Sequence, residues 1–379
     1  MLRRRVSQII HHKLETFSFA SSLRYNYRGQ RHHAATVSKL STCSSISSDV
    51  IENISLKHVE MIEKKCLVHG GHVLTDDLEK YNVDWTKQYR GKSKIVVQPN
   101  TVAEISNLLS YCNSNGIHIV PQSGNTGLVG GSVPIDDEII LSMEKLNNII
   151  DFDKINGIIT CEAGVVLQEM QKYLADHDHC SPIDLGAKGT CMIGGNVSTN
   201  AGGQHFYRFG SMHANVLGME VVLADGTILN LMNSNRKDNT GYDLKHVFIG
   251  AEGTLGVITK VVLTCPRKSL AQSVALVGCT SYNAVQKLLK LAKEELGEVL
   301  SAFELMDEYV LNALRDNDKR IPIYNKDLSN YPFLILIETQ GSNDSHDKAK
   351  LENFLSEGME SDIIIDGVLA QDGKQINEM

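Results

Sequence analysis

The chain has 379 residues, of which 42% are hydrophobic and 22% are charged, and its formal net charge is −8. This length allows two or three domains, and these fractions are typical of a soluble globular protein. Residues 1–48 carry a net charge of +7, which leaves −15 for residues 49–379. The negative charge of residues 49–379 argues against nucleic acid or an anionic membrane as a partner. No apolar run is long enough for a membrane span.

Residues 1–48 predict a mitochondrial transit peptide. They contain six arginines and ten serines, and Glu15 is their single acidic residue. A basic, serine-rich segment without the apolar core of a secretory signal is typical of mitochondrial targeting. The alternative is a disordered basic tail. The first interpretation places the protein in the mitochondrial matrix.

The eight cysteines are scattered, and none forms a C-x-x-C pair. This pattern predicts buried free thiols in a reducing compartment, without a disulfide framework. His177, His179 and Cys180 are the only clustered residues that resemble a metal-ligand set. Because no second pair stands at metal-binding spacing, we interpret them as a surface loop.

Residues 49–91 form an N-terminal segment of mixed character, with a helix predicted near residues 56–65. The segment contains Trp85, the only tryptophan of the chain. Burial in the core is the default expectation for a lone tryptophan.

From residue 92 the pattern becomes regular. A strand is predicted at 95–98, and Thr101 with Glu104 forms the capping box of a helix that ends at Gly116. A second strand, at 117–121, completes a strand–helix–strand unit. The unit delivers the segment that follows to the carboxyl end of a strand, which is where α/β folds bind ligands.

The first glycine segment, residues 121–132, reads PQSGNTGLVGGS. Glycine lets a backbone approach a ligand closely, and successive exposed N–H groups suit a diphosphate. The segment lacks the G-x-G-x-x-G of Rossmann folds and the Gly-Lys-Ser/Thr ending of a P-loop. Loop amides would therefore hold the anion without a helix N-terminus. A plain glycine-rich turn is the alternative.

A second glycine segment spans residues 184–203 and a third spans 250–259. The second, DLGAKGTCMIGGNVSTNAGG, is too irregular for a helix and too long for a turn. Ordered loops of this length are more often functional than not. An amphipathic helix at 166–174 precedes it, and a hairpin at 215–231 follows it. The third, GAEGTLGVIT, leads into a strand.

Beyond residue 270, strands and helices alternate without glycine segments, so this region predicts a cover over a ligand. The pattern predicts that this region is incomplete at Met379. The predicted strands are 274–279, 299–306, 333–338 and 362–365, and the predicted helices are 282–296, 308–314 and 347–355.

Three glycine segments in this order resemble the FAD-binding domain of the vanillyl-alcohol oxidase superfamily. The likeness also includes NVDW at 82–85 and RKDNTGYDLK at 236–245, and it covers about residues 80–379. It implies an α+β fold in which FAD lies between two subdomains. The implied boundaries are a FAD-binding domain at 92–268, divided into 92–150 and 151–268, and an incomplete α/β cap at 270–379.

The resemblance implies that FAD contacts all three segments: the diphosphate at the first, the flavin and ribityl chain at the second, and the adenine end at the third. Some relatives attach the flavin covalently to a histidine of the first segment. No histidine is present there, so non-covalent FAD is expected. The residues carried over as cofactor-binding are Pro121, Gly124, Asn125, Thr126, Gly127, Gly130, Gly131, Ser132, Gly189, Thr190, Ile193, Gly194, Gly195, Asn196, Thr199, Asn200, Ala201, Gly202, Gly256 and Ile258.

The implied reaction is transfer of the C2 hydride of a D-2-hydroxy acid to the flavin while a base takes the hydroxyl proton. The implied substrate is D-2-hydroxyglutarate, oxidised to 2-oxoglutarate, and an electron-transfer flavoprotein is the implied electron acceptor. A flavoenzyme similar to D-lactate dehydrogenases is one alternative. A flavin-binding remnant without turnover is the other.

In this family, an arginine, zinc-binding histidines and a carboxylate lie in the C-terminal half of the cap. Their positions would fall beyond Met379, so we assign no catalytic or metal-binding residue in this chain. A divalent metal such as zinc is expected only in the full-length family member. By the same argument, residues 1–379 alone are expected to have no measurable dehydrogenase activity.

Overall fold

The computed structural model describes residues 56–317 and 331–370. The predicted transit peptide lies outside this part of the chain, as does the end of the predicted cap at 371–379. The described residues form three β-sheets, two before residue 265 and one after residue 270. Within these residues, no helix is both long and apolar enough to cross a membrane.

Four strands form the first sheet: β1 (His72–Leu74), β2 (Val96–Gln98), β3 (Ile119–Gln122) and β4 (Ile139–Ser142). Their order is β1-β2-β4-β3, so β4 lies between β2 and β3 and runs parallel to both. β1 is antiparallel to β2. The first glycine segment leaves the sheet at the carboxyl end of β3, which confirms the predicted strand–helix–strand unit.

Three helices accompany this sheet. They are α1 (Leu56–Met61), which continues as a π-helical turn at Ile62–Cys66, α2 (Glu79–Asn82) and α3 (Val102–Asn115). α3 ends at Gly116, whose left-handed φ of 65° a residue with a Cβ would adopt only at a cost.

The predicted capping box at the start of α3 forms only in part. The Thr101 hydroxyl accepts a hydrogen bond from the Glu104 amide at 3.2 Å, as expected. The Glu104 carboxylate, however, accepts from the amides of His69 at 2.6 Å, Gly71 at 3.1 Å and Asn100 at 2.7 Å. Three donors satisfy this fully buried carboxylate, so it joins the chain after α1 to the start of α3.

The second sheet is antiparallel throughout and has the strand order β5-β6-β9-β7-β8. Strands β7 and β8 are the predicted hairpin. The strands are β5 (Ile149–Asp153), β6 (Ile158–Glu162), β7 (Val216–Val222), β8 (Ile228–Leu231) and β9 (Val257–Thr264). The helices of this part are α4 (Leu167–Ala175), α5 (Ile193–Ser198), α6 (Phe206–Phe209), α7 (Met212–Asn215) and α8 (Lys245–Phe248).

Helix α5 lies inside the second glycine segment, so the prediction of a wholly irregular loop there was wrong. The helix packs against β9 and buries Ile193 and Val197 completely. A Cβ at Gly194 would lie only 2.5 Å from the Ala163 side chain, so glycine permits this close packing. Tertiary contact thus outweighs the low helix propensity of two consecutive glycines.

The cap is an antiparallel sheet of order β11-β12-β10-β13 with helices packed on it. Its elements alternate as predicted. They are β10 (Ala271–Cys279), α9 (Tyr282–Glu295), β11 (Leu300–Asp307), α10 (Glu308–Asn317), β12 (Phe333–Gly341), α11 (Asp344–Glu360) and β13 (Asp366–Leu369).

The last strand was predicted at 362–365 but begins four residues later. Residues 363 and 364 instead close the end of α11, because both amides donate to the Gly358 carbonyl, at 3.0 and 2.9 Å. The Ile364 side chain is 2% exposed and packs against Gly358. Ile363 and Ile364 therefore pack in the cap core, and contact with β10 begins at Ile365, whose amide donates to the Gly278 carbonyl at 3.1 Å.

One hydrophobic core joins the first two sheets, and another lies between the cap sheet and helices α9 and α11. The seven cysteines in the described part are free, and six of them are buried. Burial raises the pKa of Cys112 and Cys161 to about 12. These thiols stay protonated and unreactive, as predicted for structural cysteines.

Candidate cofactor-binding site

The three glycine segments meet around a single cleft of about 970 Å³. The first segment enters it from β3, the second contributes the chain around α5, and the third precedes β9. The cleft therefore lies where the first and second sheets approach each other.

Several glycines of the cleft are required by packing of the protein against itself. A Cβ at Gly124 would lie 2.1 Å from the Thr190 carbonyl oxygen, and one at Gly195 would lie 2.9 Å from the Ser123 side chain. At Gly256, a Cβ would come within 2.7 Å of the Val221 side chain. The first two segments thus touch backbone to backbone, which only glycine allows.

Two other lining glycines face empty space. A Cβ at Gly127 or at Gly186 would meet no protein atom within 4 Å. Neither has a left-handed φ, so their own backbone conformation does not require glycine. Absence of a side chain at these positions keeps the cleft open for a ligand.

The polar groups of the cleft suit an anionic dinucleotide held mainly by backbone N–H groups. Among the described residues that line it, none is Lys, Arg or His, and Glu252 is the one charged residue. Beside the cleft, the buried Asn200 Oδ1 accepts no hydrogen bond from any described residue. The open glycine backbone and the apolar floor at Val257 and Ile258 fit FAD, whereas Asn200 itself does not line the cleft.

The structure brings all but four of the predicted cofactor-binding residues to the cleft. Gly130 does not line the cleft. It has a left-handed φ of 72°, and a Cβ there would lie 2.6 Å from the Tyr89 ring, so glycine is needed for the turn. Ile193, the first residue of α5, is fully buried in the core. Asn200 and Gly202 alternate with Thr199 and Ala201, the two residues of this stretch that line the cleft.

Sequence reasoning missed further residues that line the cleft. Most lie within the three glycine segments, so the same motifs would have found them. The missed residues are Trp85, Ser123, Leu128, Val129, Met143, Leu185, Gly186, Ala187, Met192, Ser198, Glu252, Gly253 and Val257.

Trp85 contradicts the expectation of a buried core residue, since 68% of it is exposed. It lies at the cleft although it precedes the first segment by more than thirty residues. Its turn is local, but its place at the cleft depends on hydrogen bonds from Asn125 to Val83 and Lys80, which join distant parts of the chain.

In the described residues, no group of three or more His, Cys, Asp or Glu is placed to hold a metal ion. The interpretation of residues 177–180 as a surface loop was wrong for His179, which is 3% exposed. Its Nδ1 lies 2.7 Å from the His177 carbonyl oxygen, and its ring packs edge-on against Phe152. His179 is therefore a core residue with a satisfied hydrogen bond.

The chain just past the second segment contacts the cap. His205 Nε2 lies 3.3 Å from Glu338 Oε2 on β12, and Gln272 and Gln340 donate to the other oxygen of that carboxylate. Glu338 is 4% exposed. Burial alone would raise the pKa of Glu338, but hydrogen bonds from His205, Gln340 and Ser301, together with the charge of His205, outweigh it and lower the pKa.

Comparison with known proteins agrees with this site. Residues 93–232 match the family model described as FAD binding domain, and residues 268–379 match the one described as FAD linked oxidases, C-terminal domain. The fold, the cleft and these matches thus define a flavoprotein that has both the FAD binding domain and the C-terminal domain of FAD linked oxidases. Alkyldihydroxyacetonephosphate synthase has the same fold, with a TM-score of 0.66 at 19% identity over 81% of this chain and 63% of its own.

Curated relatives share a much higher sequence identity. The probable mitochondrial D-2-hydroxyglutarate dehydrogenase of Oryza sativa subsp. indica is 46% identical over 371 residues, which is 96% of this chain and 64% of that protein. The mitochondrial D-2-hydroxyglutarate dehydrogenase of Danio rerio is 49% identical over 311 residues, or 82% of this chain and 58% of that protein. The chain therefore spans less than two thirds of the length of these relatives.

Proposed function

We propose that this protein binds FAD non-covalently in the glycine cleft and oxidises D-2-hydroxyglutarate to 2-oxoglutarate. The observation that carries the proposal is the cleft itself, framed by three glycine segments in a chain that is 46–49% identical to D-2-hydroxyglutarate dehydrogenases. Bound FAD would supply a two-electron acceptor for the hydride of the substrate.

The residues proposed to bind FAD are the predicted cofactor-binding residues that also line the cleft. Amides of the first segment would hold the diphosphate, because the described lining offers no basic side chain. The cap, fixed to the chain after the second segment through Glu338 and His205, would cover the cofactor. The proposed boundaries of the FAD-binding domain and cap, 92–268 and 270–379, are consistent with the two family matches.

The test uses the purified chain with its flavin. Acid precipitation should release yellow cofactor into the supernatant, and flavin that stays in the pellet would contradict non-covalent binding. Under anaerobic conditions, D-2-hydroxyglutarate should then bleach the bound flavin, while its L enantiomer should not. Faster bleaching by D-lactate would favour the alternative substrate class.

The same experiment also tests the expectation that residues 1–379 alone lack activity. The proposed oxidation predicts bleaching of the flavin by this chain, and that expectation predicts none. Stereospecific bleaching would contradict that expectation. No bleaching of a fully flavin-loaded chain would contradict the proposed oxidation by this chain.

We also propose an electron-transfer flavoprotein as the acceptor. Reoxidation of the bleached chain by that protein, at a rate well above reoxidation by oxygen, supports this acceptor, and equal rates would exclude it.

We further propose a location in the mitochondrial matrix. The support is the +7 charge and serine-rich composition of residues 1–48, together with relatives whose names describe them as mitochondrial. A fluorescent reporter fused behind residues 1–48 should enter mitochondria and resist protease after the outer membrane is opened. A cytosolic or protease-sensitive reporter would contradict the proposal.

A further inference from the structure

The only tryptophan of the chain stands at the edge of the cleft with most of its side chain uncovered. Trp85 is 68% exposed and lines the cleft beside the first glycine segment. Leu128 and Val129, also lining residues, are 62% and 73% exposed. A large apolar side chain exposed at a ligand cleft requires a reason, since tryptophan is usually mostly buried.

The turn that carries Trp85 has a defined structure. The neighbouring Asp84 is 3% exposed, and its carboxylate accepts hydrogen bonds from the amides of Thr86 at 3.0 Å and Tyr89 at 2.8 Å. The Thr86 hydroxyl donates to the same carboxylate. Lys87 takes a left-handed φ of 59° to complete the turn. These bonds fix the backbone on both sides of Trp85, so its outward position is built into the turn.

The same turn is joined to the first glycine segment. Asn125, with a left-handed φ of 51°, donates from Nδ2 to the carbonyls of Val83 at 2.7 Å and Lys80 at 3.2 Å. The Tyr89 ring occupies the place that a Cβ of Gly130 would take. Hydrogen bonds and packing therefore join the segment proposed to hold the diphosphate to the turn that carries Trp85.

We propose that Trp85 is a cofactor-contact residue, whose indole packs against a planar ring of FAD bound in the cleft. This inference rests on the proposed binding of FAD. Aromatic stacking contributes binding free energy in addition to that of apolar burial. A tryptophan side chain has only two torsions, so it loses little conformational freedom on contact. Trp85 thus helps to retain the cofactor and shields it from water on the side of the first segment.

The test measures FAD affinity and tryptophan exposure separately. Ultrafiltration should give a FAD dissociation constant about 3- to 10-fold weaker for Trp85→Ala than for the parent, with Trp85→Phe restoring most of the loss. Because Trp85 is the only tryptophan, its fluorescence reports on this position alone. FAD binding should protect that fluorescence from collisional quenching by acrylamide.

Tyr309→Ala serves as the matched control, since Tyr309 is an aromatic residue of the cap with 85% exposure that does not line the cleft. Its FAD affinity should equal that of the parent. Two results together would overturn the inference while the proposed function stands. One is equal FAD affinity of the parent and a folded Trp85→Ala variant. The other is equal quenching of the parent's tryptophan by acrylamide with and without FAD. A folded parent that binds no FAD would overturn both.

Discussion

A Gly127→Val variant is expected to fold with the stability of the parent and to lose its flavin. The new side chain would meet no protein atom, because a Cβ at this position has open space within 4 Å. It would instead project into the cleft that the cofactor occupies. Backbone strain adds nothing to this effect, because φ at Gly127 is not left-handed. Steric exclusion of the ligand remains.

The measurement is the ratio of flavin to protein absorbance after gel filtration, with thermal unfolding recorded on the apo-protein. Flavin affinity should fall at least about tenfold, which corresponds to about 1.4 kcal/mol. The melting temperature of the apo-protein should stay within about 2 °C of the parent, a shift of less than about 1 kcal/mol. Gly127→Ala, with a smaller side chain, should retain an intermediate amount of flavin. Parental flavin content in a folded Gly127→Val variant would favour the plain turn as the role of the segment.

Gly124→Ala, only three residues earlier, is expected to destabilise the protein itself. Its Cβ would lie 2.1 Å from the Thr190 carbonyl oxygen, and a backbone atom cannot move aside as a flexible side chain can. The first two glycine segments would have to separate. Overpacking of this kind costs about 1–3 kcal/mol or more, so the apo-protein should melt several degrees lower.

Flavin retention should fall in Gly124→Ala as well, because the separated segments no longer form the cleft. Gly127→Ala is the matched control: the same substitution in the same segment should leave the melting temperature of the apo-protein unchanged. Parental stability of Gly124→Ala would mean that the two segments do not pack backbone to backbone.

Local sequence patterns predicted the elements that depend on local chemistry. The helix expected at 282–296 is α9, Tyr282–Glu295, which begins where the Ser281 hydroxyl accepts a hydrogen bond from the Ala284 amide. The cap of α3 at Thr101 also formed as expected. In both cases the signal lies within one helical turn, and tertiary contact is not needed to interpret it.

Features set by contacts between distant residues were not predictable from those patterns. Helix α5 exists because it packs on β9, although its glycines disfavour a helix. Trp85 reaches the cleft through Asn125, which lies forty residues further along the chain. For the cofactor-binding residues, the glycine segments were sufficient to locate the cleft. They could not distinguish the residues that face it from those, such as Ile193, that support it from below.

The division of the glycines into two kinds bears on how such a protein would change if selection for its cofactor were relaxed. Gly124 and Gly194 would remain under constraint, because substitution there obstructs folding whether or not a flavin is present. Gly127 and Gly186 would be free to drift, because only the ligand requires them to be small. A descendant that no longer binds a flavin could therefore keep much of a recognisable glycine motif. The residues found at these last two positions would be the better record of whether flavin binding has been retained.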